Sequence, residues 1–389
     1  METDRNHRIY LDHAATMRMK EEVLQEMLPY LRESYANPSA IYGFAGEAKR
    51  AVRLAREQAA ALIGAKPTEI FFTGGGTESD NWALRSVAES YAERGKHIVV
   101  SAIEHHAVLH TCKYLEKQGY AVTYLPVDAE GKVLPETLEK AVRPDTVLVS
   151  IMAANNEIGT LEPLAQLSAI AHGQGALFHT DAVQAYGHIP LSVEELGIDL
   201  LSASGHKLGG PKGVGILYCR ENLRLSPLLH GGAQERGRRA GTLNVPGIVG
   251  FGKAAALAGE TLQQRMEREC ALRDHLIDSV LIKIPHSRLN GPKRDRLPGS
   301  AHFCFRDIEG ESLLILLDQK GICASGGSAC TSGASDPSHV LLAIGLSYEE
   351  ARGSLRLTLS EENTLEELDR TVEAVREIVE RLRGMKAGM

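Results

Sequence analysis

No C-x-x-C pair occurs among the six cysteines (Cys112, Cys219, Cys270, Cys304, Cys323 and Cys330). Spread thinly through 389 residues, they form no dense disulfide framework and read as reduced thiols in a reducing compartment. No apolar run approaches the roughly 20 residues of a membrane span, which argues against a membrane protein. The first residues, Met1-Glu2-Thr3-Asp4-Arg5, are polar and acidic, unlike a signal peptide, so a cytoplasmic location is expected. A basic surplus is also missing. Lys and Arg number 43 against 50 Asp and Glu, a formal charge of −7, which speaks against direct nucleic-acid binding or attachment to an anionic membrane. Repeats, low-complexity tracts and Pro-rich linkers are absent. What is present is ordinary for a soluble globular enzyme: 43% hydrophobic residues, 24% charged and 38 Gly. A chain this long buries a large core and divides into one larger and one smaller domain.

The middle of the chain reads as repeated strand–loop–helix units, the pattern of a mostly parallel sheet covered on both faces. Strands are expected at Glu69–Thr73, His97–Ser101 and Thr146–Met152, then before Asp181 and before Ser204, with Gly213–Tyr218 doubling back. Helices are expected at Ser79–Glu93, Ala107–Gln118 and Leu164–His172. From about residue 260 the character changes. A long helix over Leu262–Ile282 leads to short strands at 299–305, a helix at Ser312–Gln319 and a strand at Leu355–Leu359. A last helix runs over Thr364–Leu382, with Asn363 and Glu366 at capping-box spacing. The fold class is therefore α/β, with a large domain over 15–258 and a smaller α+β domain formed by 1–14 and 259–389.

Ligands of open parallel sheets bind beyond the carboxyl ends of the strands, so the residues just past each strand are informative. After the first comes Thr73-Gly74-Gly75-Gly76-Thr77-Glu78-Ser79, glycines ahead of a helix N-terminus that suit a phosphate. The pattern is neither G-x-G-x-x-G nor a P-loop, which disfavours dinucleotides and nucleoside triphosphates. After the second comes Glu104-His105-His106. A histidine there is placed to lie on a pyridine ring and handle protons; a zinc site on His106 and His110 at i, i+4 is the rival, and it lacks a third ligand of suitable spacing nearby. After the third comes Asn155-Asn156-Glu157, where an amide can bond a ring hydroxyl or a substrate carboxylate. The last two strands deliver Asp181 and, past Ser204 and His206, Lys207. A lysine to form a Schiff base and a carboxylate to keep a pyridine nitrogen protonated are what a pyridoxal-phosphate site needs. Asp181 at the end of an apolar strand is costly to bury unless paired with a cation, and a pyridinium supplies one.

Among the cysteines, Cys219 and Cys304 sit in apolar runs and read as core. Cys330 lies in Ser325-Gly326-Gly327-Ser328-Ala329-Cys330-Thr331-Ser332-Gly333, a polar, glycine-rich loop of the kind a mobile, accessible thiol requires.

These motifs resemble the cysteine desulfurases of the NifS/IscS type, in the class V aminotransferase branch of the fold type I pyridoxal-phosphate enzymes. The resemblance runs nearly end to end: Tyr10-Leu11-Asp12, Asn37-Pro38-Ser39, Gly75 to Asn81, Glu104 to Val108, Asn155 to Thr160, His179 to Ala185, Ser204 to Gly215, Gln234 to Thr242, Gly327-Ser328-Ala329-Cys330 and Pro337 to Leu341. It implies that Lys207 anchors the cofactor, Asp181 pairs the ring nitrogen, Gln184 and Asn156 contact the ring hydroxyl, and His105 stacks on the ring. Gly76, Thr77, Ser204 and His206 are implied to bind the phosphate, and Thr242 to reach the phosphate of the neighbouring subunit in a homodimer. Arg356 is implied to grip the substrate carboxylate. Cys330 is implied to take sulfur from L-cysteine as a persulfide, leaving L-alanine, and to pass it to a sulfur-acceptor protein, for example in iron–sulfur cluster assembly. No metal is implied. The group Arg236, Arg238 and Arg239 is read as a solvated charge run with a dimer-interface role as the alternative. The chain departs from the usual family pattern at His13, Gly209, Ala233 and Leu243; His13, expected near the substrate mouth, bears on substrate handling. A selenocysteine lyase shares the cofactor core. A class V transaminase needs no thiol, so the Cys330 loop argues against it. A cofactor-binding scaffold that docks partners is the reading from outside enzymology.

Overall fold

Strand β5 (Thr146–Ser150), β6 (Leu177–Asp181) and β7 (Leu200–Ser204) are buried at every position, the signature of parallel strands covered on both faces. The computed structural model describes residues 8–326 and 337–387. In chain order the other strands are β1 (Ile9–Tyr10), β2 (Ile70–Thr73), β3 (His97–Ser101), β4 (Ala121–Leu125), β8 (Gly215–Cys219), β9 (Ser287–Leu289), β10 (Ser300–Phe305), β11 (Ile322–Cys323) and β12 (Ser354–Thr358). Seven of them form one sheet in the order β2-β8-β7-β6-β5-β3-β4. Only β8 runs antiparallel within it. The expected doubling back is thus a strand inserted between β2 and β7, and the carboxyl ends of β2, β3, β5, β6 and β7 share one edge.

The pleat sends alternate residues to opposite faces. Phe72, Val149, Phe178 and Leu201 pack under helices Gly46–Ala61 and Val245–Lys283 on one side. Phe71, Leu148, Leu177 and Leu200 pack under helices Gly76–Ser90 and His106–Lys117 on the other. Trp82 is the largest fully buried side chain there, and its indole N–H is satisfied by the Ser226 carbonyl at 2.8 Å. Truncating so large a buried ring costs about 3–5 kcal/mol.

The helix expected over Leu262–Ile282 begins earlier, at Val245, and runs 39 residues, about 58 Å at the usual rise. Asn244 caps it, accepting from the Gly247 N–H at 3.2 Å. The glycines in its first turns weaken the helical pattern but serve close approach: a Cβ on Gly252 would collide with Cα of Ala55. Its first half belongs to the large core, up to Ala258, and its second, from Leu272, to a separate one. The expected domain boundary at 258/259 therefore falls inside a continuous helix.

The second core packs Phe303, Phe305, Leu355 and Leu357 of the antiparallel sheet β12-β10-β9 against helices Gly310–Gln319 and Leu365–Ala387. The N-terminal segment joins it, as β1 pairs in parallel with β11. The cap of the last helix is one residue later than expected: Thr364 and Glu367 bond each other's N–H groups at 3.2 and 3.0 Å, while Asn363 Oδ1 accepts from Ser360. Edge strand β4 is half-exposed along most of its length, so no buried apolar run announces it. No helix among the described residues is long and apolar enough to cross a membrane.

Candidate active site

Five strand ends open onto one cavity of about 400 Å³, within the size range of small-molecule sites. Gly76, Thr77, His105, Asn156, Asp181, Gln184, Ser204, His206, Lys207 and Arg356 all line it. Thr242 does not; it is exposed on the segment before helix Val245–Lys283. Cys330 lies outside the described residues.

At one end of the cavity β2 turns into helix Gly76–Ser90, whose first N–H groups have no partners within the helix. A Cβ on Gly76 would stand 2.5 Å from Val183 Cγ2 and 3.7 Å from Ser204 Cβ. The backbone can approach a ligand closely only because this residue is glycine. Glu78 ties the turn, accepting from the Gly74 N–H at 2.7 Å. Arg239 then grips Glu78 with two bonds, at 2.8 and 3.0 Å. Arg239 is accordingly not part of a solvated run, since it braces the glycine turn; the exposed Arg236 donates to the Ile70 carbonyl at 2.9 Å.

Lys207 follows β7 by one tight turn, Gly205–Lys207. Its Nζ donates to the carbonyls of Ala14 and Ala15 at 2.5 and 2.9 Å, and Gln184 Nε2 donates to the same Ala14 carbonyl at 3.0 Å. His206 meets Thr16 Oγ1 at 3.1 Å. Burial, then the charges of Lys207 and Lys212, push its pKa down to about 4, so the ring is neutral. His105 caps helix His106–Lys117, its Nδ1 accepting from the Ala107 N–H at 3.2 Å.

Asp181 ends β6 and accepts from the Val183 N–H at 2.9 Å. Burial raises its proton affinity, while His105, that N–H and Lys207 oppose the rise. Sequence reasoning did not anticipate its neighbour Asp80, which is 1% exposed. Burial and the Asp181 charge hold the Asp80 carboxyl well above the usual range. Its place four residues after Gly76, on the same helix face, was the available signal. Behind it His179 bonds Ser150 Oγ at 2.8 Å and Ser202 Oγ at 3.1 Å, and burial lowers its pKa to about 3.

Arg356, on β12, is held from two sides: Nη2 donates to Asp12 Oδ1 at 2.8 Å and Nη1 to the Asn156 carbonyl at 2.9 Å. Asp12 was visible only as part of a motif. Glu104 links the ends of β3 and β5, accepting from Ser101 Oγ at 2.5 Å and the Met152 N–H at 2.9 Å. His13 does not sit at the mouth. Its half-buried ring packs edge-on to Tyr10 and lines a separate cavity of about 40 Å³ behind Asn156 and Gln184. Cys219 and Cys304 are buried, and burial raises each thiol to about 11.

An α/β sheet whose strand ends bring a helix N-terminus, a buried acid and a lysine to one cavity, faced by an arginine from the smaller antiparallel sheet, defines a class of proteins that hold a small anionic ligand against a reactive amine. The chain belongs to the aminotransferase class-V family, which matches residues 9–371. It is 54% identical over 380 residues to a protein of Methanosarcina thermophila named cysteine desulfurase IscS, covering 98% of this chain and 94% of that one. A solved structure titled NifS-like protein superposes with a TM-score of 0.90 at 42% identity, over 96% of this chain and 99% of that one. Another, titled SspA in complex with cysteine, has a TM-score of 0.80 at 37% identity, over 92% and 100%.

Proposed function

We propose that this chain is a cysteine desulfurase that uses pyridoxal 5′-phosphate, removes sulfur from L-cysteine and leaves L-alanine. The observation that carries the reading is the meeting of Lys207, Asp181, His105 and Arg356 in one cavity, in a chain whose relatives bear that name.

The residues suit the cofactor. A side chain on Gly76 would collide with Val183 at this end of the cavity, and the helix N-terminus behind it favours a phosphate dianion. Thr77, Ser204 and the neutral His206 line the same end of the cavity. Asp181 is a buried carboxylate whose raised proton affinity a pyridinium would reverse. When bound, the cofactor supplies a carbonyl that links to amines and a protonated ring that takes up the electron pair left at Cα.

Each chain residue then has a defined task. Asp181 would hold the proton on the ring nitrogen, His105 would cover the ring face, and Asn156 and Gln184 would contact the ring hydroxyl. Arg356 binds the carboxylate of L-cysteine. Lys207 would anchor the cofactor, and its Nζ would take the Cα proton of the substrate. The Cys330 thiolate attacks the substrate sulfur: a sulfur–sulfur bond forms, the Cβ–S bond breaks, and its electron pair stays on carbon and is protonated. Cys330 leaves as a persulfide for a sulfur-acceptor protein, such as one that assembles iron–sulfur clusters. The exposed position of Thr242, away from its own cavity, supports a homodimer in which it completes the partner's phosphate site.

The test is turnover of the purified holoenzyme. L-Cysteine should yield alanine and, with a reductant, sulfide in equal amounts. Cys330→Ser should keep the cofactor and release no sulfide; undiminished release would remove the thiol from the reaction. Lys207→Ala should lose the absorption of the lysine-linked cofactor.

A further inference from the structure

His106 and His110 stand one turn apart on helix His106–Lys117, and the sequence near them offers no third ligand. The fold brings one from the far end of the chain. His339, first residue of helix His339–Ala343, places its ring centre 4.9 Å from that of His106, and the His110 ring lies 5.0 Å from His106 on its own helix. Two imidazoles on one tetrahedral ion, each nitrogen about 2 Å from it, set their ring centres about 5 Å apart.

His339 also carries the support typical of ligating histidines. Its Nε2 bonds the Glu104 carbonyl at 3.0 Å; that bond places the ring proton on Nε2 and leaves Nδ1 as the lone-pair nitrogen. The residue before it, Ser338, caps the short helix through the Val340 N–H at 3.1 Å and donates to Glu157, so the backbone under His339 is fixed.

We propose that His106, His110 and His339 bind a zinc-type divalent cation at the mouth of the cofactor cavity, and that the bound ion obstructs the passage of substrate. His106 and His339 line that cavity, whereas the exposed His110 stands outside it. Among the described residues, the group of three ligand atoms already within 4.8 Å of one another is Asp80, His105 and Asp181, which belongs to the cofactor cavity. The ligand atoms of His106, His110 and His339 do not yet meet at that distance, so binding requires the exposed His110 ring to turn inward. Three imidazole nitrogens suit zinc better than calcium or magnesium, which take oxygen ligands.

The test measures Zn²⁺ binding to the holoenzyme by equilibrium dialysis, with Co²⁺ absorption as a report on nitrogen ligation. One ion per chain is expected, with affinity lowered at least about tenfold in His110→Ala and in His339→Gln. Turnover without metal should be unchanged in His110→Ala, and added Zn²⁺ should inhibit the parent protein but not this variant. Cys330→Ser should still bind zinc. Binding that survives both histidine substitutions, or that disappears with Cys330→Ser alone, overturns the proposal, as does equal inhibition of parent and His110→Ala. Because metal binding is read without turnover, failure of this site and failure of the desulfurase reading are distinguishable.

Discussion

The guanidinium of Arg356 donates to the Asp12 carboxylate at 2.8 Å, joining strand β12 to the segment just past β1. Both side chains are largely buried, 3% and 20% exposed, so the pair fixes where the arginine points before any substrate arrives. Removing Asp12 leaves the charge of Arg356 in place but lets it turn. Asp12→Ala should raise KM for L-cysteine about tenfold with kcat within about threefold, whereas Arg356→Ala should lower kcat/KM by about 100-fold or more. Asp12→Asn, which keeps an acceptor oxygen, should recover most of the KM. Steady-state kinetics checks this, and an equal fall in kcat in Asp12→Ala would mean that the pair does more than aim the arginine.

Gly76 offers a steric test of the phosphate end. Alanine there adds one methyl 2.5 Å from Val183 Cγ2, and a β-branched neighbour has little freedom to yield. Gly76 is the first residue of its helix, where the interior penalty for glycine does not apply, so no gain in helix propensity offsets the clash. Because that clash is present with or without cofactor, Gly76→Ala should both weaken pyridoxal phosphate binding about tenfold and lower the melting temperature of the cofactor-free protein. Cofactor titration followed by absorbance separates the two effects, and a loss of stability without loss of affinity would place the crowding elsewhere.

The site was legible where chemistry comes directly after a strand. Buried parallel strands are apolar throughout, so Asp181, Ser204 and the Gly75–Thr77 turn stand out as the first polar groups after each run. What escaped was set by packing between distant parts of the chain. Asp12 and Arg356 lie at opposite ends of the sequence, and no local periodicity links them. His339 reaches His106 only through the docking of the short helix that Ser338 caps. Strand β4 escaped because an edge strand is wet on one side, and the start of the helix at Val245 because its glycines lower helical propensity while permitting contact with Ala55.

Glu269 makes the fold sensitive to pH. It is 2% exposed in the middle of helix Val245–Lys283. Burial, with Glu361 opposing Arg265 and Lys20, raises its pKa from the ordinary 4.5 to about 8. The folded protein thus keeps a proton that the unfolded chain has released. The stability linked to this proton is present in full below about pH 4.5 and is lost as pH rises through about 8, with a slope of up to about 1.4 kcal/mol per pH unit between them. Glu104 and Glu162 are raised by burial too and act in the same direction. Melting temperature should fall from pH 6 to pH 8, and Glu269→Gln should flatten that fall by one proton's share. An unchanged slope in the variant would show that Glu269 is ionised throughout.

Asp80 and Asp181 are both buried carboxyls at the base of the cavity, and their surroundings push them toward different roles. His105, the Val183 N–H and Lys207 favour the charged form of Asp181. Burial and the neighbouring Asp181 charge favour the protonated form of Asp80, against a hydrogen bond from Ser202 that opposes it, so Asp80 is the one that stays protonated at neutral pH. Asparagine reproduces the shape and charge of a protonated aspartic acid. Asp80→Asn should therefore keep cofactor binding and bring kcat down by no more than about threefold, while Asp181→Asn, which cannot hold the ring nitrogen's proton, should lose at least about 100-fold in kcat. Cofactor absorption gives a second measure: Asp181→Asn should alter its pH dependence, and Asp80→Asn should leave it as in the parent. If the two substitutions proved equally damaging, Asp80 would have to carry charge in the working enzyme, and the division of labour between the two acids would be wrong.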